Sequence, residues 1–391
     1  MKRLNLAPIR RRRARLIRIL TFLVTLALIL GAVYLVAHYD KLNFDGIRRW
    51  ITYRSLERND DGQAQSFTCA GGDTNRLTSV AGDLLACSGN TLRLYSGSGS
   101  IYIDESVTLA NPAVDSAGSH ALAYDVGGQL LYAVSDRSLA FRLEVEEDHP
   151  ILSASVNEWG WIAVTAQRSG YVGSVAVYNP SWTEVMRSGL KTFIMDAVVS
   201  PDCKHVAILT AGLSGGNFES AVAVNPTEGG REDGVPEASC LVGNNVILDL
   251  RWTNSGIWCL GENGASLVSP EGVLLASCGY GGRYLKAFSL EGDGFAVMLL
   301  GKYRAGTSAV LTVMDSEGEL ITLPVEEQVL SLSAAGRYIA VLTADRLDIY
   351  TQDLTLYDTL EGTQSARSVV LRADGTAMLI SGTEARLYIP D

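Results

Sequence analysis

The sequence predicts an all-β chain: an eight-bladed β-propeller, with seven as the alternative count, preceded by one transmembrane α-helix. Three observations carry this. One hairpin signature recurs eight times from residue 66 onward. Glycine is frequent, at 39 residues, and stands between short apolar runs, as many tight turns require. A single uncharged run, Ile19 to Ala37, lies directly behind a cluster of arginines.

The chain has 391 residues, 47% of them hydrophobic and 19% charged, so a large buried core is feasible. Residues 1–18 form a basic tail with eight lysines and arginines and no acid. Without those eight, 24 basic residues face 43 acidic ones, a net charge of −19. An acidic body of this kind repels polyanions, which argues against nucleic acid as a partner.

Residues 19–37 read ILTFLVTLALILGAVYLVA. As a helix this run spans roughly 28 Å, close to the thickness of a bilayer core. It is longer than the apolar part of a cleaved signal peptide, and Leu35 occupies a position that cleavage after Ala37 would want small. The sequence therefore predicts an uncleaved anchor that contacts the lipid bilayer. The preceding arginines keep the N-terminus cytoplasmic and put the rest of the chain outside the cell membrane.

Residues 38–65 are a juxtamembrane linker. Ile47, Trp50 and Ile51 fall at helical spacing, which suggests a short amphipathic helix over 45–56.

Residues 66–391 hold the repeats. The turn and second strand of each copy read SVAGDLLAC (79–87), DSAGSHALAY (115–124), SVNEWGWIAV (155–164), VSPDCKHVAIL (199–209), WTNSGIWCL (252–260), SLEGDGFAVML (289–299), SAAGRYIAVL (333–342) and LRADGTAMLI (371–380). Their spacing, roughly 36 to 53 residues, suits a four-stranded blade. A pair of immunoglobulin-type sandwiches is the competing architecture, but sandwiches do not repeat one hairpin eight times. The last copy stops at Tyr388-Ile389-Pro390-Asp391, one strand short, while Ser66 to Ala70 is a stray strand before the first. The stray strand is expected to complete the last blade and remove the open sheet edge.

Three loops between second and third strands are long: Gln167 to Ser174, Gly212 to Ser220 and Gly301 to Ser308. They carry Arg168, Tyr171, Phe218, Tyr303 and Arg304, a combination of aromatics and arginine suited to binding. Simple length variation in surface hairpins would explain the same loops without a ligand. Asp196, Asp249 and Arg251 fall on innermost strands, where they either line a functional channel or merely solvate it.

Gly212-Leu213-Ser214-Gly215-Gly216 matches the G-x-S-x-G string of serine hydrolases, but here it sits between two strands with no helix following. A flexible glycine loop is the better reading. The six cysteines show neither C-x-x-C nor zinc spacing, and most sit in apolar strands as small hydrophobes. Cys259 and Cys278 are assigned to the second and fourth strands of one blade, out of reach of each other. The tryptophans read as blade-packing aromatics. The acidic turn Glu291-Gly292-Asp293-Gly294 lacks the ligand spacing of a calcium loop, and no phosphate-cradling loop is present. No metal, cofactor or catalytic residue is assigned.

The stretches FDGIRRWITY (44–53) and ANPAVDSAGSHALAYDVGG (110–128) resemble an uncharacterised bacterial family, domain of unknown function 5711. The resemblance implies one N-terminal membrane helix followed by a propeller-like β-domain, and no activity. The histidine and Trp-Asp signature of WD40 repeats is absent.

The function these features suggest is an extracellular, membrane-anchored binding or scaffolding module whose partner is another envelope protein or a peptide. The alternative is an extracellular hydrolase or redox enzyme with its site in the propeller channel.

Overall fold

The computed structural model describes residues 21–26, 29–30, 44–54, 56–69, 75–228 and 235–390. The chain divides into two compact units, 1–54 and 55–391.

In the first unit, residues 21–26 and 29–30 are helical, and a helix runs over Phe44–Tyr53, slightly earlier than its apolar spacing suggests. The expected membrane helix over residues 19–37 lies largely outside the described residues. Among the described residues, no helix is long and apolar enough to cross a membrane.

The second unit is a ring of eight four-stranded antiparallel sheets. Blade 1 is β2 (Arg76–Val80) to β5 (Ile101–Ser106), and blade 2 is β6 (Pro112–Ala117) to β9 (Ser138–Glu144). Blade 3 runs from β10 (Ile151–Val156) to β13 (Glu184–Leu190), and blade 4 from β14 (Phe193–Val199) to β17 (Ala238–Gly243). Blade 5 comprises β18 (Ile247–Thr253) to β21 (Leu274–Gly279), and blade 6 β22 (Tyr284–Ser289) to β25 (Leu320–Val325). Blade 7 is β26 (Ser331–Ala335) to β29 (Leu356–Glu361). Blade 8 joins β30 (Ser368–Leu371), β31 (Ala377–Ser381) and β32 (Glu384–Tyr388) to β1 (Phe67–Thr68). The eight sequence repeats are the hairpins between the first and second strands of the eight blades.

Burial explains the repeat. Second strands such as β3 (Asp83–Cys87), β11 (Ile162–Ala166) and β27 (Tyr338–Leu342) are buried along their whole length, because both of their faces meet a neighbouring blade. They read as continuous apolar runs for that reason. Outer strands, such as β21, alternate between exposed and half-buried residues. Each apolar cluster belongs to two adjacent blades: Leu85, Ala121 and Val134 join blades 1 and 2, and Tyr338, Leu347 and Leu379 join blades 7 and 8. A single blade has no core of its own, so the ring must form as a whole.

Small polar residues on the inner strands stitch blade to blade. Asp115 Oδ2 accepts the Val156 amide at 2.7 Å, and Ser155 Oγ donates to the Ala197 carbonyl at 2.6 Å. Ser333 Oγ accepts the Leu371 amide at 3.1 Å. Asp115, Ser155 and Ser333 each open a repeat hairpin, which accounts for the recurring polar residue at that point of the signature.

The ring closes as the sequence leads one to expect. Phe67 pairs with Ala385, and Thr68 with Glu384. The pairing extends on both sides, through Ala64 N to Leu387 O at 2.8 Å, Cys69 N to Thr383 O at 2.9 Å and Ile389 N to Gly62 O at 2.9 Å. The Phe67 ring lies 5.7 Å from that of Tyr95 in blade 1. Gly99 makes room for it: a Cβ there would stand 2.4 Å from Phe67 Cβ, and its φ of +85° already favours glycine.

All six cysteines are free, and Cys259 and Cys278 do fall on β19 (Gly256–Gly261) and β21, separated by β20 (Gly264–Val268). Burial pushes the Cys87 thiol up to about 12, which leaves it a poor nucleophile. The tryptophans divide. Trp258 is fully buried and Trp182 stacks on Phe141 at 5.1 Å, as blade-packing aromatics do. Trp159 instead stands in the β10–β11 turn, 65% exposed.

Candidate functional site

Innermost strands all run in one direction, from the blade-to-blade connection toward the first hairpin. The loops between second and third strands therefore share a face with the blade-to-blade connections. The three long loops of the sequence lie on this face, in blades 3, 4 and 6.

Their shapes differ from expectation in one case. Gly212 to Ser220 is not a loop: β15 (His205–Ser214) and β16 (Asn217–Pro226) continue as a paired ribbon, with Leu213 opposite Phe218 and a turn of only Gly215 and Gly216. Both glycines have positive φ, as such a turn needs. The G-x-S-x-G string is thus a ribbon tip and not a strand-to-helix elbow. Phe218 is half-buried, and its partner Leu213 is the exposed side chain, at 78%. The two are directly opposed and so share one face of the ribbon, and which of them is covered is a choice that residue type alone does not reveal.

The other loop residues form two separate groups. Tyr171 lies against Gly189 of β13, with the Arg168 guanidinium 5.5 Å from its ring. In blade 6, Lys302 Nζ lies 5.5 Å from the Tyr303 ring, and Arg304 covers Tyr284 at 5.4 Å. Lys286 Nζ donates to the Arg304 carbonyl at 2.6 Å.

A second regularity sits beneath these loops. The pairing of first and second strands skips one residue at the same place in four successive blades: Leu152, Met195, Leu248 and Lys286. Blades 1, 2, 7 and 8 pair without a skip here. A bulge of this kind bends the strand and re-aims side chains. Met195 and Leu248 are exposed as a result, as is Phe193 at the start of β14. The residue after the bulge is Ser153 in blade 3, Asp196 in blade 4, Asp249 in blade 5 and Ala287 in blade 6.

The sequence placed Asp196, Asp249 and Arg251 on inner strands, and β14 and β18 carry them there. Deeper in the ring, Arg251 reaches across the channel. Its Nη1 donates to Glu291 Oε1 of blade 6 at 2.7 Å and stands 3.5 Å from Asp115 Oδ1 of blade 2, while Nη2 donates to the Ser116 carbonyl at 3.1 Å. Asp115 was not singled out in the sequence, and Glu291 only as part of an acidic turn without calcium spacing. Their signal was a charge on the short inner strand and its turn, hidden because both belong to the repeat signature itself.

These groups sit deep in the ring yet face its solvent-accessible axis, with the Arg251 side chain 22% and the Glu291 side chain 46% exposed. The surrounding protein displaces bulk water and raises the carboxyls. Burial pushes Asp196 up to about 7, with the Asp115 charge adding to it, against hydrogen bonds from Ser153 and the Ala197 amide. Asp249 also rises to about 7, through burial first and then the charge of Asp196. Glu291 reaches about 7 through burial despite Arg251, and Asp115 is raised for the same reason. Arg251 is opposed by burial, but Glu291, Asp115 and Asp249 outweigh it and hold it charged.

Replacing Arg251 with methionine removes the cation from this pair of carboxylates. The expected loss is about 2–3 kcal/mol at pH 8, below the 3–5 kcal/mol of a dry ion pair because the channel is wet. Much of it should return at pH 5, where Glu291 takes up a proton. Urea unfolding at both pH values checks this, and equal losses at the two would contradict it.

Among the described residues, Glu146, Asp148 and His149 bring their potential ligand atoms within 4.8 Å of one another, whereas the channel carboxylates form no such group. Glu146 and Asp148 are exposed, and acidic groups of that kind are common without a metal.

A family model described as a family of unknown function, DUF5711, matches residues 59–356. The chain belongs to this family. The match includes the 110–128 stretch that first suggested it and begins after the 44–53 stretch. No curated protein matches this DUF5711 chain. Among solved structures, BamB from Moraxella catarrhalis is similar at 13% identity, with a TM-score of 0.50 over 83% of this chain and 96% of that one. A streptogramin B lyase, at 11% identity, covers 84% and 97% with a TM-score of 0.46. BBS1N in complex with ARL6DN, at 12% identity, covers 84% and 96% with a TM-score of 0.46. The likeness to BamB concerns the fold alone.

Proposed function

We propose that this DUF5711 protein is a membrane-anchored propeller that binds a protein partner outside the cytoplasm, through the face that bears the blade-to-blade connections. One observation carries the binding reading. On that face, large exposed apolar side chains occur in blades 2 to 6, among them Tyr171, Phe193, Leu213, Leu248, Tyr284 and Tyr303. Blades 7, 8 and 1 contribute none among the described residues. Random scatter would not respect blade boundaries, and a one-sided apolar patch with basic residues at its edge is what a docking surface needs.

The anchor reading draws support from the N-terminal sequence and from Phe22, Leu23, Val24, Leu26, Ile29 and Leu30, all apolar and exposed. Lipid would cover such a surface. The arginines before it favour an external propeller.

The test uses a photo-crosslinking amino acid in living cells. Placed at Leu213 or Tyr303, it should give a discrete cross-linked product; placed at Leu356, on an outer strand of blade 7, it should give none. Exchanging Tyr171, Leu213 and Tyr303 for serine should abolish the product and leave the melting temperature within about 2 °C, since surface changes cost little. Equal products from both faces would contradict the reading. Proteolysis of intact cells tests the side of the membrane, with an undigested propeller as the contrary result.

An enzyme with its site in the channel is the alternative, and it draws on the same raised carboxyls. Binding is favoured because the exposed apolar side chains lie on the face onto which the same channel opens.

A further inference from the structure

Four features meet where the channel opens onto the apolar face. First, the strand bulges turn Met195 and Leu248 outward beside Phe193, so the rim is apolar. Second, one residue further in, Asp196 and Asp249 occupy equivalent positions on neighbouring blades. Each folds one oxygen back onto the next amide, Ala197 N at 2.8 Å and Leu250 N at 2.9 Å, which fixes the carboxyl in place. Third, the nearby cation is already engaged, because Arg251 is held by Glu291, Asp115 and the Ser116 carbonyl. Among the described residues neither Asp196 nor Asp249 has a basic group within salt-bridge distance. Fourth, the protein beyond the N-terminal tail is strongly acidic, so it attracts basic partners over distance.

An apolar rim over a pair of unneutralised carboxyls has a matching shape in one kind of side chain. Lysine and arginine carry a charged head on an apolar stem, and the stem lies along apolar surface while the head reaches a polar site. We infer that the mouth of the channel takes a lysine or arginine side chain from an apolar segment of the protein partner, its charged end between Asp196 and Asp249 and its neighbours covering Phe193, Met195 and Leu248. This rests on the docking reading above and names the chemistry of what docks. The cation stops at these carboxyls, because Arg251 crosses the channel immediately below and repels it.

Binding of a cation favours the ionised carboxyls and so becomes weaker as pH falls through their range. The groups that share this space and shape the response are Asp115 and Tyr124 of blade 2, Glu158 of blade 3, Arg251 of blade 5, and Glu291 and Asp293 of blade 6. Glu291, itself raised to about 7, adds to the response, and Arg251 stays charged throughout.

The experiment selects random dodecapeptides displayed on phage against the full chain in phosphatidylcholine nanodiscs at pH 8, after depletion on empty nanodiscs. Retained peptides should carry a lysine or arginine flanked by leucine, isoleucine or aromatic residues. As synthetic peptides they should bind Asp196→Asn/Asp249→Asn at least about tenfold more weakly than the unaltered chain. They should lose a similar factor between pH 8 and pH 6. The control Glu105→Gln/Glu319→Gln removes two exposed acids elsewhere and should leave affinity unchanged. Apolar peptides without a basic residue, or equal binding to the aspartate variant, would overturn the inference while the docking face stands. Peptides indifferent to both the aspartate change and the Tyr171, Leu213 and Tyr303 serine exchange would overturn both.

Discussion

A chain lacking residues 62–69 should melt at least about 10 °C lower than the intact protein and lose its single sharp transition. The segment holds the last blade through the Phe67 and Thr68 pairs and through backbone bonds at Ala64, Cys69 and Gly62. Four or five such bonds, at about 1 kcal/mol each, together with the partly buried Phe67 ring, sum to roughly 5–6 kcal/mol. For a domain of this size, one kcal/mol corresponds to a few degrees or less. The effect exceeds that of an ordinary edge deletion because the segment joins the two ends of the ring. Without it, β32 gains a free edge and blade 8 can separate from blade 1. A synthetic peptide of residues 60–70, added in excess, should restore part of the loss by mass action. Calorimetry decides the matter: an unchanged, single transition in the deleted chain would show that closure depends on something else.

The second large effect is a gain. Asp196→Asn/Asp249→Asn should be more stable than the unaltered chain at pH 8, by about 2–4 kcal/mol, and should respond less to pH. In the folded state both carboxyls sit at about 7, above the ordinary aspartate value of about 4. Between those values the folded protein holds protons that the unfolded chain has released. Stability therefore falls as pH rises from about 4 to 7 and levels off above about 8. Full burial would make each group cost about 4 kcal/mol at pH 8, and the wet channel reduces this. Asparagine keeps an oxygen that can accept from the Ala197 and Leu250 amides, so the local structure persists while both charges go. Glu291 remains raised and should leave a residual slope. Chemical denaturation at pH 5 and pH 8 measures the difference, and a variant less stable than the parent at pH 8 would mean that the carboxylates are neutralised in the unaltered protein. A site that costs its own fold stability is what binding at the expense of folding produces.

Much of the architecture was readable without coordinates, and the reasons are local. The hairpins at 79–87, 333–342 and 371–380 each place an apolar run after a glycine turn, and burial on both faces of second strands demands that run. Ser66 to Ala70 was identifiable as the closing strand because the last repeat ended one strand short. The ribbon at 212–220 was misread as a loop because glycine-rich tips and paired strands share composition. The exposure of Leu213 in place of Phe218 depended on what packs around the ribbon tip, which no single strand reveals.

The candidate site was half visible. Asp196, Asp249 and Arg251 stood out as charges on strands that are otherwise apolar. Asp115 and Glu291 did not, because each sat in a turn signature where acids are ordinary. Their meeting at Arg251 joins blade 2 to blades 5 and 6, residues far apart in the chain, and depends on where the ring brings them.

The order of residues alone determined the repeat, the strand count and the closing segment, since hydrophobic period and turn chemistry act over a few residues at a time. The tertiary structure decided which side chains share the channel mouth, which apolar groups stay uncovered, and how far the carboxyls are raised. Those depend on the curvature of the ring and on four aligned bulges, and neighbours across a closed ring are set by distances that no local pattern encodes.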